Sequence, residues 1–203
     1  MNYVMFNTAG KTTEILLSAF GKEEYFSDEN CRAASQILLP ALDKMLDDAG
    51  ARLSDMDFFG CVIGPGSFTG IRIGAVTVKT LCYALKKKAA AIDYNRLISL
   101  CAAGKRLAVV YGWADMYYAA LIDGEETVMP PTAMKSSEIA QLALEKPEYS
   151  LVCDRPSFDV FGGICADERL CMRKAALDAA LIDGDMVVPL YAMKSQAERD
   201  LEK

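Results

Sequence analysis

The chain has 203 residues, of which 52% are hydrophobic and 25% charged, a composition typical of a globular protein. A chain of this length buries about 70% of its unfolded surface, so it can fold without disulfides or a metal. Its 28 acidic and 22 basic residues give a net charge of −6, which disfavours unaided binding to a phosphate backbone. Histidine is absent, which excludes Ser-His-Asp and Cys-His nucleophiles and histidine-based zinc sites.

The cysteines do not predict a disulfide framework, because their number is odd and no CxxC pair occurs. We expect packing roles for all seven: Cys31, Cys61, Cys82, Cys101, Cys153, Cys165 and Cys171. The amino terminus has no signal-peptide pattern, and no apolar run approaches the roughly 18 residues of a membrane span. These features predict a cytoplasmic protein.

The first half of the chain predicts a β-meander followed by alternating helices and strands. Strands are expected at 3–7, at 12–20 and from residue 24, with Thr13, Ile15, Leu17 and Ala19 on one face of the second. A helix capped by Ser35 should run over 35–49, a buried strand over 57–63 and a second helix over 71–87. This second helix is apolar nearly all round, which predicts burial on two sides.

The second half, from about residue 104, mixes shorter elements. The predicted strands cover 107–111, 117–122, 150–153 and 186–191, and the predicted helices cover 137–144, 174–181 and the charged tail 194–203. This order indicates an α/β fold with a mixed sheet and flanking helices. We divide it into an N-terminal lobe, 1–103, and a reduced second lobe, 104–203, whose C-terminal tail packs back on the first lobe.

A glycine-rich segment between the buried strand and the second helix carries most of the functional information. Its predicted site residues are Gly64, Pro65, Gly66, Ser67, Phe68, Thr69, Gly70 and Arg72. It is not a Walker A loop, because no Lys-Ser/Thr follows its last glycine, and Thr69 occupies the position where a dinucleotide fingerprint needs glycine. Three interpretations stay open: a structural turn, a phosphate-facing loop at a helix N-terminus, and a protein contact.

Residues 63–74, Ile-Gly-Pro-Gly-Ser-Phe-Thr-Gly-Ile-Arg-Ile-Gly, resemble the signature of the bacterial tRNA threonylcarbamoyladenosine biosynthesis protein TsaB (YeaZ-like) family. Residues 35–43 resemble the first helix of that family, including Pro40, and residues 190–199 resemble its carboxyl end. The resemblance implies an actin/Hsp70/sugar-kinase-like (ribonuclease H-like) fold with a fuller N-terminal lobe.

The resemblance also implies a non-catalytic role. Members of the family partner the related subunit TsaD, which holds the metal and performs the transfer, and the ATPase TsaE completes the assembly. The product is N6-threonylcarbamoyladenosine at position 37 of tRNAs that read codons starting with A. The resemblance therefore predicts no catalytic residue, metal or cofactor in this chain alone, ATP or ADP and metal in the partner subunits, tRNA contact through the complex, and a homodimer when the chain is alone.

Three segments depart from the family pattern. Asn7-Thr8-Ala9 stands where relatives have Asp-Thr-Ser, Ala34-Ser35 replaces His-Ser, and Tyr111-Gly112-Trp113 replaces Asp-Ala-Arg. In kinases of this fold the first aspartate works near metal and phosphates. An uncharged Asn7 therefore weakens any nucleotide role of this chain.

The two helices resemble those through which the family dimerises or binds its catalytic relative. The predicted interface residues are Ile37, Leu38, Ala41, Leu42, Met45, Ile71, Gly74, Ala75, Val78 and Cys82. The alternative is that sheet packing consumes this surface. Arg72 is interpreted as a contact to a phosphate or a partner carboxylate, or as a surface salt bridge. Other functions considered are a stand-alone nucleotide-binding protein or small-molecule kinase, and a metallopeptidase, which the lack of histidine disfavours.

Overall fold

The first sheet is built from five strands of the N-terminal half. The structure is a computed structural model that describes residues 1–28 and 34–192. The strands are β1 (Tyr3–Asn7), β2 (Thr13–Ala19), β3 (Lys22–Asp28), β4 (Phe58–Val62) and β5 (Lys88–Ile92), in the order β3-β2-β1-β4-β5. β1 to β3 form the predicted antiparallel meander, whereas β4 and β5 join in parallel through helical crossovers.

Three helices belong to this half: α1 (Ala34–Ala49), α2 (Phe68–Leu85) and α3 (Tyr94–Ser99). The predicted capping role of Ser35 is wrong, because α1 already includes Ala34. α2 begins earlier than predicted, and the Ser67 side chain caps it by accepting a hydrogen bond from Gly70 N at 3.2 Å. β5 and α3 were not predicted from the sequence.

The second sheet also has five strands. These are β6 (Lys105–Trp113), β7 (Met116–Asp123), β8 (Glu126–Lys135), β9 (Ser150–Cys153) and β10 (Ile164–Cys165), in the order β10-β9-β6-β7-β8. Both sheets mix parallel and antiparallel pairs, so the predicted mixed-sheet α/β class is confirmed. β8 and β10 lie at the edges and were not predicted.

The helices of the second half are α4 (Ser136–Glu145), α5 (Arg155–Phe161) and α6 (Glu168–Leu177). α4 confirms its prediction, α5 was missed, and α6 lies earlier in the chain than the predicted helix over 174–181. The predicted strand over 186–191 is wrong. A 3-10 turn at Gly184–Met186 is followed by irregular chain that lies along the first sheet, where Leu190 N donates to Ile63 O at 2.7 Å.

The first sheet is buried on both faces, which the alternating sequence pattern did not predict. Ile15 and Leu17 pack in a core with α1 and α2, whereas Leu16 of the same strand packs in a second core with α3 and α6. A further small core joins α4 and α5 to the second sheet. The boundary predicted near residue 104 falls between the two sheets, and the assignment of two lobes stays a prediction.

The cysteines of the described residues are all free thiols. Cys61, Cys82, Cys153 and Cys171 are buried, and Cys101 and Cys165 are half-buried. Burial raises the pKa of the Cys61 thiol to about 12, as expected for a side chain that serves in packing. Cys31 and the predicted helical tail 194–203 lie outside the described residues.

Candidate functional site

The glycine-rich loop joins β4 to the N-terminus of α2 and is packed against the turn after β1. Ser67 N donates to Ala9 O at 2.8 Å, and the Thr8 hydroxyl donates to Gly70 O at 2.7 Å. A Cβ at Gly70 would lie 1.9 Å from Thr8 O, so only glycine fits this close approach. These contacts favour the interpretation of the loop as a structural turn.

The other loop residues continue this packing. Gly64 has a φ of 111°, and a Cβ there would lie 2.6 Å from Leu190 O. The Gly64 carbonyl accepts a hydrogen bond from Tyr94 N at 2.7 Å. The amides of Ser67 and Gly70 already have partners within the chain, so they are not free to bind a phosphate.

Arg72 begins a small surface cluster at the start of α2. Its guanidinium lies over the Phe68 ring at 3.8 Å, and its Nε donates to Tyr191 OH at 2.8 Å. The two rings are 5.0 Å apart and are each about two-fifths exposed. The described residues therefore give Arg72 aromatic partners in place of the predicted salt bridge, and one face of its charge stays at the surface.

Most of the predicted interface residues lie in the core of this chain. The buried ones are Leu38, Leu42, Met45, Ile71, Gly74, Ala75, Val78 and Cys82. They face the chain's own first sheet, and a Cβ at Gly74 would lie 2.7 Å from Thr8 Oγ1. Their predicted role at a partner contact is therefore corrected to sheet packing; only Ile37 and Ala41 are half-exposed. An interface on these helices has to use other residues.

The outer face of α2 is open, so the described residues do not supply the second covering that the apolar sequence of this helix predicts. Val76 is 59% exposed and lies one turn after Arg72. With Phe68 and Tyr191 these residues form a contiguous surface, which we call the α2 stripe (Phe68, Arg72, Val76 and Tyr191). A cation flanked by exposed aromatic and aliphatic side chains is typical of protein contacts.

A cleft of about 650 Å³ lies between β2 and β3 of the first sheet and the start of α5 and α6. Four tyrosines line it together with charged and hydroxyl side chains. Its lining residues include Lys11, Glu14, Tyr25, Tyr94, Tyr111 and Glu168. Sequence analysis did not identify Glu14, Tyr94 or Glu168 as a site.

The floor of the cleft is a hydrogen-bonded carboxyl pair. Asn7 Nδ2 donates to Glu14 Oε2 at 2.8 Å and to Glu168 Oε2 at 2.7 Å. Tyr94 OH donates to Glu168 at 2.8 Å, and Tyr25 OH donates to Glu14 at 2.5 Å. The Glu14 and Glu168 carboxyls therefore accept hydrogen bonds from the same Asn7 amide nitrogen.

Burial, and then the neighbouring Glu14 carboxylate, raise the pKa of Glu168 well above its ordinary range. This environment therefore favours the protonated form of Glu168. The described residues contain no group of three or more His, Cys, Asp or Glu side chains that fits a metal ion. Asn7 acts here as the amide bridge between two carboxyls.

Two of the three departures from the family pattern meet at this cleft. Asn7 lies at its floor, and Tyr111 lies at its wall with the Lys11 ammonium 4.0 Å from the ring centre. The third, Ala34, is buried at the start of α1.

A comparison with protein families matches residues 28–105 to the model "TsaD: tRNA N6-adenosine threonylcarbamoyltransferase". The tRNA N6-adenosine threonylcarbamoyltransferase of Sphingopyxis alaskensis is 38% identical over 63 residues, 31% of this chain and 18% of that protein. The tRNA threonylcarbamoyladenosine biosynthesis protein TsaB of Haemophilus influenzae is 29% identical over 77 residues, 38% of this chain and 33% of that protein. The matches thus span a third or less of these relatives' length.

The solved structure of YeaZ from Pseudomonas aeruginosa superposes with a TM-score of 0.72 over 94% of this chain and 99% of that chain, at 19% identity. The chain therefore has the α/β fold of YeaZ over nearly its whole length. The resemblance to the TsaB family is confirmed, since a curated TsaB protein matches part of the chain and the YeaZ fold matches nearly all of it. No helix within 1–28 and 34–192 is long and apolar enough to cross a membrane.

Proposed function

We propose that the chain is a scaffold subunit that binds a TsaD-type transferase through the α2 stripe. With a TsaE-type ATPase, the complex would form N6-threonylcarbamoyladenosine at tRNA position 37 in the cytoplasm. The observation that carries this proposal is the open outer face of α2 in a chain with the YeaZ fold. A stable contact of this kind buries about 1,200–2,000 Å² in total, which needs neighbouring residues of α1 as well.

The proposal gives this chain no chemical step of its own. The sequence lacks histidine, the most common general base and a frequent metal ligand. We assign ATP, ADP and metal to the partner subunits. The carboxyl pair at the cleft floor supports this assignment, because it would repel the phosphates of a nucleotide. Calorimetry with ATP and Mg²⁺ tests it, and tight binding by the chain alone would favour the alternative of a stand-alone nucleotide-binding protein.

A charge placed in the α2 stripe tests the contact. Val76→Asp should weaken binding to the TsaD-type subunit at least tenfold, because it buries an unpaired carboxylate at the interface. Val128→Asp is the matched control, since Val128 is 51% exposed on the edge strand β8. Binding would be measured by calorimetry after far-UV circular dichroism has shown that both variants fold. Equal affinities for the two variants would move the interface away from the α2 stripe.

The same stripe is our proposed contact for a homodimer when the chain is alone. Analytical ultracentrifugation of the two variants tests this. The Val76→Asp protein should sediment as a monomer under conditions where the Val128→Asp protein does not. A dimer that persists in both variants would place the self-contact elsewhere.

A further inference from the structure

A lysine-rich pocket lies at the C-terminal end of α2, beyond the α2 stripe. The pocket has a volume of about 650 Å³ and is lined by Lys79, Lys86, Lys87, Lys88, Tyr83, Cys82, Asp183, Gly184 and Asp185. Four lysines within ten positions are a local exception in a chain whose net charge is −6. The region therefore differs in charge from the molecule as a whole.

The lysines are largely without acidic partners. Lys88 Nζ pairs with Asp183 at 2.7 Å, and both side chains are more than half exposed. Within residues 1–28 and 34–192, no ion pair engages Lys79, Lys86 or Lys87. The four lysines outnumber the two acidic residues of the pocket, Asp183 and Asp185, by two positive charges.

An exposed aromatic ring stands among these lysines. Tyr83 is 78% exposed, and the Lys86 ammonium lies 4.5 Å from its ring centre. Nothing in the described chain covers the opposite face of a ring this exposed. A flat aromatic face beside free ammonium groups is the arrangement on which unpaired bases stack while their phosphates are neutralised.

The spacing of the charges suits a polyanion better than a single small anion. Lys79 lies in the last two turns of α2 and Lys86 is its C-cap, and seven residues at 1.5 Å each separate them by about 10 Å along the helix axis. The C-terminal dipole of α2 favours the lysines at this end of the helix. Charges distributed over this length match consecutive phosphates of a nucleic acid strand.

We infer that this pocket binds unpaired nucleotides of the tRNA, with phosphates at Lys79, Lys86 and Lys87 and one base on Tyr83. This inference rests on the proposed function, since the acidic chain is held on tRNA mainly by its partners. The contact adds affinity and orientation to the complex and takes no part in the chemistry.

The test compares two matched charge-neutralised variants in the complex with the TsaD-type subunit. Lys86→Gln/Lys87→Gln removes two charges from the pocket. Lys22→Gln/Lys146→Gln removes two exposed lysines from β3 and the end of α4. Affinity for unmodified tRNA would be measured by fluorescence anisotropy from 50 to 200 mM salt, after gel filtration has shown that each complex assembles.

The salt slope is the change in the logarithm of the affinity per unit change in the logarithm of the salt concentration. Losing two contacts to single-stranded phosphates should reduce its magnitude by about 1.4. Between 50 and 200 mM salt the wild type should therefore lose about sevenfold more affinity than the pocket variant. The control should keep the wild-type slope. Tyr83→Ala should weaken binding about fivefold or more, while Tyr83→Phe keeps the stacking face and the affinity. Equal slopes for the pocket variant and the control overturn the inference.

The outcomes separate this inference from the proposed function. If the wild-type chain does not assemble with the transferase, the proposed function fails. The salt dependence of tRNA affinity is then compared between the pocket variant and the control without the transferase, at low salt. If assembly succeeds and neither Lys86→Gln/Lys87→Gln nor Tyr83→Ala changes tRNA affinity, only the pocket inference fails. Lysine-dependent binding to phosphatidylserine vesicles with unchanged tRNA binding would also overturn it.

Discussion

Replacing Asn7 with aspartate tests how the cleft floor is held together. Asn7 is fully buried, its amide donates to both Glu14 and Glu168, and its Oδ1 accepts from Ala9 N at 3.1 Å. Aspartate keeps the acceptor for Ala9 but removes both donors. It also places a third carboxyl within hydrogen-bond distance of two others, where all three cannot be ionised together.

The magnitude follows from the proton that the new carboxyl must bind. An ordinary aspartate pKa is about 3.9, and one pH unit corresponds to about 1.36 kcal/mol. Keeping Asp protonated in the folded state therefore costs about 4 kcal/mol at pH 7 and about 1.5 kcal/mol at pH 5. We expect Asn7→Asp to lower the free energy of unfolding by these amounts.

Urea unfolding followed by far-UV circular dichroism at both pH values measures the change. Asn7→Ala is the control, because it removes the same two donors without adding a carboxyl, and its cost should differ much less between pH 5 and pH 7. If Asn7→Asp is as stable as wild type at pH 7, or loses the same free energy at both pH values, the three side chains are not packed as described.

Three further predictions concern the core, the pH dependence and the thiols. Gly74→Val should lower the free energy of unfolding by about 1–3 kcal/mol, because a Cβ at this position lies 2.7 Å from Thr8 Oγ1. The folded fraction of this variant should still bind the transferase. A binding defect without a change in stability would contradict the placement of Gly74 in the core. The pKa of Glu168 is higher in the folded state than in the unfolded state, where it is about 4.3. The stability that the Glu168 side chain contributes is therefore fully present below the unfolded pKa, and it is lost as the pH rises through the folded pKa. Glu168→Gln should therefore gain thermal stability relative to wild type between pH 5 and pH 8, and parallel pH profiles would refute this. Partial alkylation with iodoacetamide at neutral pH should label Cys101 before Cys61, because a hydrogen bond from Cys171 lowers the pKa of Cys101 to about 7; peptide mass spectrometry reads the order, and the reverse order would contradict it.

Local signals in the sequence predicted the elements that have strong periodicity or clear punctuation. The meander of β1 to β3 follows from the alternation along its second strand, and α2 follows from its long apolar run after the glycine-rich loop. The elements that were missed lack such signals. β8 carries Pro130 and Pro131 within an edge strand, and β10 has only two residues.

Tertiary packing decided the segments that sequence patterns assigned wrongly. The continuous apolar run over 186–191 predicted a strand, but its exposed Val188 and buried Val187 belong to irregular chain that lies across α2 and the first sheet. α2 itself carries apolar residues on every side, and periodicity alone does not show which side stays open. Only the structure identifies the α2 stripe as the open face.

The cleft floor was beyond sequence reasoning because its members are far apart in the chain. Asn7 and Glu168 are separated by 161 positions and meet through the packing of α6 on β1 and β2. One local signal was available: Glu14 is the charged residue of a mainly apolar strand, and a buried carboxylate requires partners. Its partners were not predictable from that residue alone.

Reconstitution of the modification reaction tests the central claim most directly. A TsaD-type subunit, a TsaE-type ATPase, ATP, unmodified tRNA and threonylcarbamoyl-adenylate are combined with and without this chain. The modified adenosine is then quantified by mass spectrometry. We predict that N6-threonylcarbamoyladenosine forms only when the wild-type chain is present, and that Val76→Asp fails to support it. Equal modification without the chain would contradict the scaffold function.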